Sequence, residues 1–361
     1  MEKAPVPYPP VLHSLASAST ITWLIHQKFE LSIPLYRQEK EWEALGLRLS
    51  RATMSNWLLV VYRDWLVQHL NEVDRQAREM LELLKQRYLH IDETHVQVLK
   101  EPGRKNTSDS YMWVYCSIRD AVNPIRYFEY QPGRSGKYPE AFLREYEGYI
   151  HTDAYSGYNA VSGVKRCLCY THLRRAFVDA LPKDIHNSEA SKPAEAILRL
   201  NQLFNIESEL EALPPDQKKK ERLIREKPLL EAFWSWAEKS AIGELPKSKL
   251  SKAFHYALNN REGFWNYLED GNCSISNSLA ENCIRPFVIG RKNWLFSGSP
   301  KGAEASAGIY TLVETAKANG LAPIKYIKYI LSDMPGSAFL EHPEYLDDYL
   351  PWNPLVKEFC R

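Results

Sequence analysis

What most constrains this chain is a change of texture at Tyr88. Before it, apolar residues recur at helical spacing. After it, short apolar runs alternate with clusters of Pro, Gly and Asn. A stretch built of short strands cannot bury its faces alone and needs helices laid against it. Residues 13–87 read as those helices begin. Ser17 or Ser19 caps a first helix running towards Phe29, Pro34 opens a second over PLYRQEKEWEAL, and Gly46 stops it. Ser50 caps a third, SRATMSNWLLVVYRDWLVQHL. Helix, short Gly-containing turn and a helix opening on Ser-Arg-Ala-Thr is a helix-turn-helix pattern, in which Arg51, Thr53 and Ser55 would face base edges. An ordinary αα-hairpin reads the same way. Residues 1–12, with four prolines, read as an extended linker.

From Tyr88, the runs RYLHIDETHVQVL, YMWVYCSIRD and IRYFEYQ predict a three-strand antiparallel meander. KYPEAFLREYEGY predicts a helix, and YIHTDAYSGYN a fourth strand that stops at Asp153. VKRCLCYTHLRRAFVDAL predicts a short strand and a further helix. The order βββαβα is that of a ribonuclease-H-like α/β domain, a mixed sheet with helices on its faces. That domain would comprise residues 88–182 and 271–332. Residues 183–270 read as a helical insertion into it, with Pro214-Pro215-Asp216 at a helix–helix turn and Trp234, Trp236 and Trp265 as packing anchors. Residues 333–361 read as an acidic, Pro-punctuated tail packed on the body.

Charge and cysteine content narrow the setting. No apolar run approaches the ~18 residues of a membrane span, and residues 1–30 lack the pattern of a signal peptide. Six cysteines in 361 residues are too few for a disulfide scaffold, so free thiols in a reducing cytoplasm are expected. The net charge of +1 argues against a uniformly basic nucleic-acid binder. It is an average over opposed segments, however. Residues 282–330 carry seven Lys/Arg and two Glu, whereas residues 331–361 carry two basic and six acidic residues. Removing the tail from Asp333 is therefore expected to tighten non-specific DNA binding.

Three carboxylates stand out. Asp92 follows Tyr88-Leu89-His90-Ile91 in an apolar strand run, where a charge needs a reason. Asp153 ends a strand after Tyr149-Ile150-His151-Thr152. Glu281 lies on a helix opening with Asn277 or Ser278 as cap. Each alone reads as a solvated charge. Two acids from a sheet and one from a helix are also a set that holds two hard divalent cations for in-line phosphoryl transfer.

The words around these acids carry a resemblance. His90-Ile91-Asp92-Glu93-Thr94, Thr152-Asp153-Ala154-Tyr155-Ser156-Gly157-Tyr158, Cys169-Tyr170-Thr171-His172-Leu173-Arg174-Arg175-Ala176-Phe177 and Ala280-Glu281-Asn282-Cys283-Ile284-Arg285-Pro286-Phe287-Val288-Ile289-Gly290-Arg291-Lys292-Asn293-Trp294 follow one another in an order that resembles the transposases of the insertion sequence 66 family. The likeness runs from about Pro5 to the terminal Leu350-Pro351-Trp352-Asn353. It implies a DDE transposase with a ribonuclease-H-like core, with Asp92, Asp153 and Glu281 as catalytic acids and metal ligands. The implied cofactor is Mg²⁺, with Mn²⁺ as substitute. The implied partners are transposon-end and target DNA, further copies of the chain on that DNA, and accessory proteins of the same element. Two rivals stand beside this reading: a metal-dependent nuclease of the same fold without strand transfer, and a silent DNA-binding remnant. The usual N-terminal zinc-site module is expected to be missing. The basic residue that many DDE enzymes carry seven positions after the Glu is here Val288.

Cys167-Leu168-Cys169 with His172 invites a zinc site, but a complete site needs four ligands. Cys169 and His172 are expected to be structural and near the acids, and a Cys–His nucleophile lacks an orienting third group. Arg174, Arg175, Arg285, Arg291, Lys292 and Lys301 read as phosphate contacts, with Ser297–Gly302 as a flexible loop whose amides approach a phosphate; a solvated basic face is the alternative. Trp294 reads as core in preference to a base-stacking wedge.

Overall fold

The computed structural model describes residues 8–67, 82–182 and 191–361. Parts of the linker (1–7), of the first helical region (68–81) and of the insertion (183–190) lie outside the described residues. In chain order the elements are α1 (Ala18–Ile25), α2 (Leu35–Ala44), α3 (Arg51–Val61), β1 (Tyr88–Val98), β2 (Asp109–Ser117), β3 (Arg126–Gln131), α4 (Lys137–Phe142), β4 (Tyr149–Thr152), β5 (Lys165–Leu168) and α5 (Tyr170–Val178). There follow α6 (Lys192–Glu209), α7 (Pro215–Glu221), α8 (Lys227–Ala241), α9 (Lys249–Asn259), α10 (Arg261–Trp265), α11 (Ser278–Trp294), β6 (Phe296–Ser297), α12 (Pro300–Ala318), α13 (Pro323–Asp333) and α14 (Pro354–Cys360).

The strands form one mixed sheet in the order β3-β2-β1-β4-β5, with β6 beside β1. β2 and β3 pair antiparallel from Tyr111↔Gln131 to Cys116↔Arg126. β1 and β4 run parallel, Tyr88↔Tyr149 to His90↔His151, and β5 continues the parallel part beside β4. The described chain divides into two compact units. One comprises residues 1–86, 92–135 and 280–361, the other residues 87–91 and 136–279.

In the first unit the caps read from sequence are in place. The Ser17 hydroxyl accepts the Thr20 amide at α1, and Ser50 accepts the Thr53 amide at 3.1 Å at α3. Gly46 ends α2 with φ +86°, a left-handed conformation that glycine adopts without strain. The outer strand β3 would present unpaired amides, which is a template for aggregation. Instead α12 lies along it. Thr311 Oγ1 accepts the Phe128 amide at 2.8 Å, and Thr315 Oγ1, one turn on, accepts the Arg126 amide at 3.1 Å. Ala307 and Gly308 precede Thr311 by one turn and are buried with it, which leaves room for the helix to approach that closely.

Two elements differ from expectation. The helix read over KYPEAFLREYEGY ends at Phe142, and Glu145 takes a positive φ of 65°. Ser297–Gly302 is not a flexible loop. Ser297 belongs to β6, Ser299 accepts the Gly302 amide as N-cap of α12, and Lys301 and Gly302 are helical. Serine before Pro300 is a strong helix start, since proline at the first position sets φ and loses no bond. The acidic C-terminal segment packs within the first unit. Leu346, Tyr349, Val356 and Cys360 are buried, Tyr326 donates to the Tyr349 carbonyl, and the Ala322 amide donates to the Cys360 carbonyl at 2.7 Å. Deleting it would therefore uncover core, so the expected gain in DNA binding has to be sought by neutralising exposed acids instead.

The second unit holds the helices of the insertion. Trp234 is fully buried among Phe233 and Phe264, while Trp236 and Trp265 are half-buried. α7 starts at Pro215, as the Pro-Pro-Asp signal predicts. At the centre lies Arg222, with no exposed surface. Its guanidinium grips Glu207 at 2.5 and 2.8 Å and donates to the carbonyls of Tyr267, Asp270 and Cys273. Burial would raise the Glu207 carboxyl, but Arg222 holds it below its ordinary value. Glu226 beside it is pushed up to about 8 by burial and by the charge of Glu207, and accepts the Tyr267 hydroxyl at 2.6 Å.

Candidate active site

The end of the parallel strand pair in the second unit is built around two histidines. His90 on β1 and His151 on β4 are register partners, buried, with rings stacked 4.2 Å apart and 12° from parallel. Their hydrogen bonds define their tautomers. Asn277 Nδ2 donates to the Ile91 carbonyl at 2.8 Å, which turns its Oδ1 to accept His90 Nδ1–H at 3.0 Å. His151 Nδ1–H donates to the Leu89 carbonyl at 3.1 Å, and its Nε2 accepts the Ser274 amide at 2.9 Å. Asn277 is itself buried, and its amide donates to Cys169 Sγ at 3.1 Å. Its side chain is thus turned into the sheet, not onto the start of α11 as a cap.

Asp153 stands one residue past the end of β4, two residues beyond His151. Its Oδ1 accepts the Tyr155 amide at 2.9 Å, and its carbonyl accepts the Thr152 hydroxyl at 2.7 Å. From β5, Arg166 reaches the same turn. Nε donates to Thr152 Oγ1 at 2.8 Å, Nη1 to Asn159 Oδ1 at 2.6 Å, and Nη2 to the carbonyls of Asp153 at 2.6 Å and Tyr155 at 2.8 Å. The turn has no room to relax. A Cβ on Gly136 would lie 2.3 Å from the Gly157 carbonyl oxygen. Cys169, buried, caps the picture by donating its amide to the Thr152 carbonyl at 3.1 Å as α5 begins. His172 follows on the first turn of α5, half-buried.

A second group in this unit has the composition of a metal site. The ligand atoms of His151, Cys167 and Cys273, all buried, lie within 4.8 Å of one another. Both ring nitrogens of His151 are already hydrogen-bonded, and the Cys273 thiol is held protonated by its bond to Cys167 and by burial. That set reads as packing between thiols and not as an open site.

In the first unit, Asp92 continues β1 two residues beyond His90, and its Oδ1 accepts the Glu93 amide at 2.9 Å. The neighbouring Glu93 is buried and paired with Arg134 at 2.6 Å. Glu281 is half-buried in the first turn of α11, where the helix dipole favours a carboxylate.

The basic residues sort into two groups. Arg291 donates to Thr94 Oγ1 at 2.8 Å and to the His95 carbonyl, so it ties α11 to β1. Arg174 donates to Asn201 on α6 at 2.7 Å. Arg175, Arg285, Lys292 and Lys301 are exposed. Arg51 is exposed at the start of α3, but its amide donates to the Glu39 carboxylate at 2.9 Å. The Thr53 hydroxyl is engaged with Ser50 at 2.9 Å, and Ser55 is half-buried. An acid on that helix terminus works against a phosphate there. Trp294 is half-buried and packs edge-on against Phe287.

Arg166 and the bridging role of Asn277 were not read from the sequence. An arginine inside a four-residue strand just after the second acid was the signal for the first. A carboxamide next to a helix start gives no sign of which way it turns. No helix among the described residues is long and apolar enough to cross a membrane.

Residues 13–305 match the model of the transposase IS66 family. Among curated proteins, the chain is similar to the uncharacterized protein y4qI of Sinorhizobium fredii, 27% identical over 94% of this chain and 63% of that protein. It is also similar to the uncharacterized protein y4hP of the same organism, 25% identical over 98% of this chain and 65% of that protein. The chain thus spans a little under two thirds of the length of these relatives. The matched region covers most of the chain and contains all three acids, and on that ground the chain belongs to the IS66 family of transposases.

Proposed function

We propose that this chain is the catalytic body of a DNA transposase, in which Asp92, Asp153 and Glu281 serve cleavage at the element's ends and transfer of the freed 3′-hydroxyl into target DNA. The observation that carries the reading is the family match, which runs through all three acids. The register of β1 and β4 supports it: Asp92 and Asp153 each lie two residues beyond a member of the stacked histidine pair. The mixed sheet with parallel β1, β4 and β5 is the kind of frame a ribonuclease-H-like reading requires.

The donor set fits a hard divalent cation, since three carboxylates offer oxygen only. Mg²⁺, or Mn²⁺ in its place, would be held by Asp92, Asp153 and Glu281 and would supply charge stabilisation to an in-line phosphoryl transfer. The chain's own contribution is position. The Tyr155 amide fixes one oxygen of Asp153, the Glu93 amide fixes one of Asp92, and the first turn of α11 presents Glu281. The stacked histidines pin the register of β1 and β4 just before the two acids. Exposed Arg175, Arg285, Lys292 and Lys301 would meet DNA phosphates. Action on DNA in concert with further copies and with other proteins of the element belongs to the same proposal, as does a place at the nucleoid.

The test is cleavage of element-end DNA in Mg²⁺. Asp92→Asn, Asp153→Asn and Glu281→Gln should each lower it at least about 1,000-fold, on the scale of lost electrostatic stabilisation, with an unchanged circular dichroism spectrum. Near-wild-type cleavage by any of the three would remove that residue from the site. Pre-cut ends supplied with a target plasmid decide between transposase and nuclease, because only a transposase joins the two DNAs.

A further inference from the structure

The turn that carries Asp153 is held by one guanidinium. We propose that Arg166 is a positioning residue for the Asp153 carboxylate, setting the aim of that acid towards its cation without touching the substrate; this rests on the functional reading above. Arg166 stands opposite Ile150 in the β5–β4 pairing, so its stem starts one strand away from the acid and its head reaches past the end of β4. The head is fixed in three ways. Nε and Nη2 bridge Thr152 Oγ1 and the Asp153 carbonyl, Nη2 also reaches the Tyr155 carbonyl, and Nη1 holds Asn159. The guanidinium lies over the Tyr158 ring, 5.3 Å from its centre. The backbone beneath is pinned where Asn266 Nδ2 donates to the Arg166 carbonyl at 2.8 Å.

The consequence is specific to one bond. Tyr155 contributes its amide to Asp153 Oδ1 and its carbonyl to Arg166. The peptide group that follows the acid, the one that follows Tyr155 and the hydroxyl before the acid are therefore set by the same cation. A planar fork reaching four oxygens on residues 152, 153, 155 and 159 fixes direction in a way a lysine point charge does not. Small errors in the aim of a catalytic group are costly out of proportion to their size. The sheet, by contrast, does not need this fork. The β4–β5 pairing is held by its own backbone bonds, and Cys169 ties the end of β4 through the Thr152 carbonyl.

The experiment compares full-length wild type, Arg166→Ala, Arg166→Lys and Thr152→Val. It measures the Mg²⁺ concentration for half-maximal cleavage, direct Mn²⁺ binding by electron paramagnetic resonance, and melting without metal. The half-saturating Mg²⁺ should rise at least about tenfold in Arg166→Ala and about threefold in Arg166→Lys, which keeps the charge without the fork, on the scale of misplaced catalytic groups. Mn²⁺ affinity should fall in parallel. Thr152→Val, which removes one acceptor, covers the case in which Arg166→Ala does not fold, and should shift the same two quantities in the same direction. Wild-type metal dependence in Arg166→Ala with wild-type cleavage intact overturns this inference and leaves the functional reading standing. If wild type does not cleave, that reading fails. Mn²⁺ binding then decides the inference: equal affinity in wild type and Arg166→Ala, or no site that Asp153→Asn removes, overturns it.

Discussion

Two arginines of the same unit do different work with the same chemistry. Arg222 is wholly buried, pairs with Glu207 and reaches three carbonyls between Tyr267 and Cys273. Arg166 is half-buried and reaches oxygens on a single turn between Thr152 and Asn159. The sequence separations tell them apart. The bonds of Arg222 span 15 to 51 residues and close the insertion onto the loop before α11, whereas those of Arg166 span 7 to 14 and close one turn. A long-range buried charge holds the fold, and a short-range one sets the direction of one side chain.

The two arginines should part most clearly in stability. Replacing Arg222 with Ala leaves Glu207 buried and without its main partner, a change that costs about 3–5 kcal/mol when a buried pair is split. Urea denaturation should show that loss. Arg166→Ala should cost clearly less, because its head is half-buried and water partly replaces the bonds it loses. Equal losses would mean that both arginines are structural.

A smaller effect comes from the acid beside Arg222. Glu226 has its carboxyl raised to about 8, above the value of 4.5 it has when unfolded. The folded state thus binds this proton more tightly. Its contribution is fully present below pH 4.5 and is lost as pH rises through 8. Between pH 6 and pH 9 wild type should lose on the order of 2–3 kcal/mol from this group. Glu226→Gln keeps an acceptor for the Tyr267 hydroxyl and should flatten the loss. An unchanged pH slope in that variant would place the titration elsewhere.

How far these roles are legible beforehand follows from their range. Helix caps at Ser17, Ser50 and Ser299 are local events, in which a hydroxyl meets an amide three residues on, and the first two can be read directly. Ser299 is harder to read, because a Gly- and Ser-rich run has the look of a loop until Pro300 is taken as a helix start. The three acids stand out because a charge in an apolar strand or beside a named motif is conspicuous. The Arg222 network joins residues from four separate segments, and nothing in a lysine- and arginine-rich helix singles out the one that is buried. Arg291 shows the same limit. Its sequence neighbourhood says phosphate, whereas its bonds run to Thr94 and His95.

Arg285, Lys292 and Lys301 are exposed, so exchanging all three for Gln should change stability by less than about 0.5 kcal/mol each, as surface changes do. If all three meet phosphates, the slope of log affinity against log salt on duplex DNA should fall by about 2.7, near 0.9 per contact. Arg291→Gln should do the reverse: lower stability by about 1 kcal/mol through its lost bonds to β1, and leave the slope where it was. A salt titration of the four-residue set, read by fluorescence anisotropy on one duplex, decides it. If Arg291 alone moves the slope, the bonds to Thr94 and His95 open when DNA arrives, and burial in the free protein is then no guide to which cations the DNA sees.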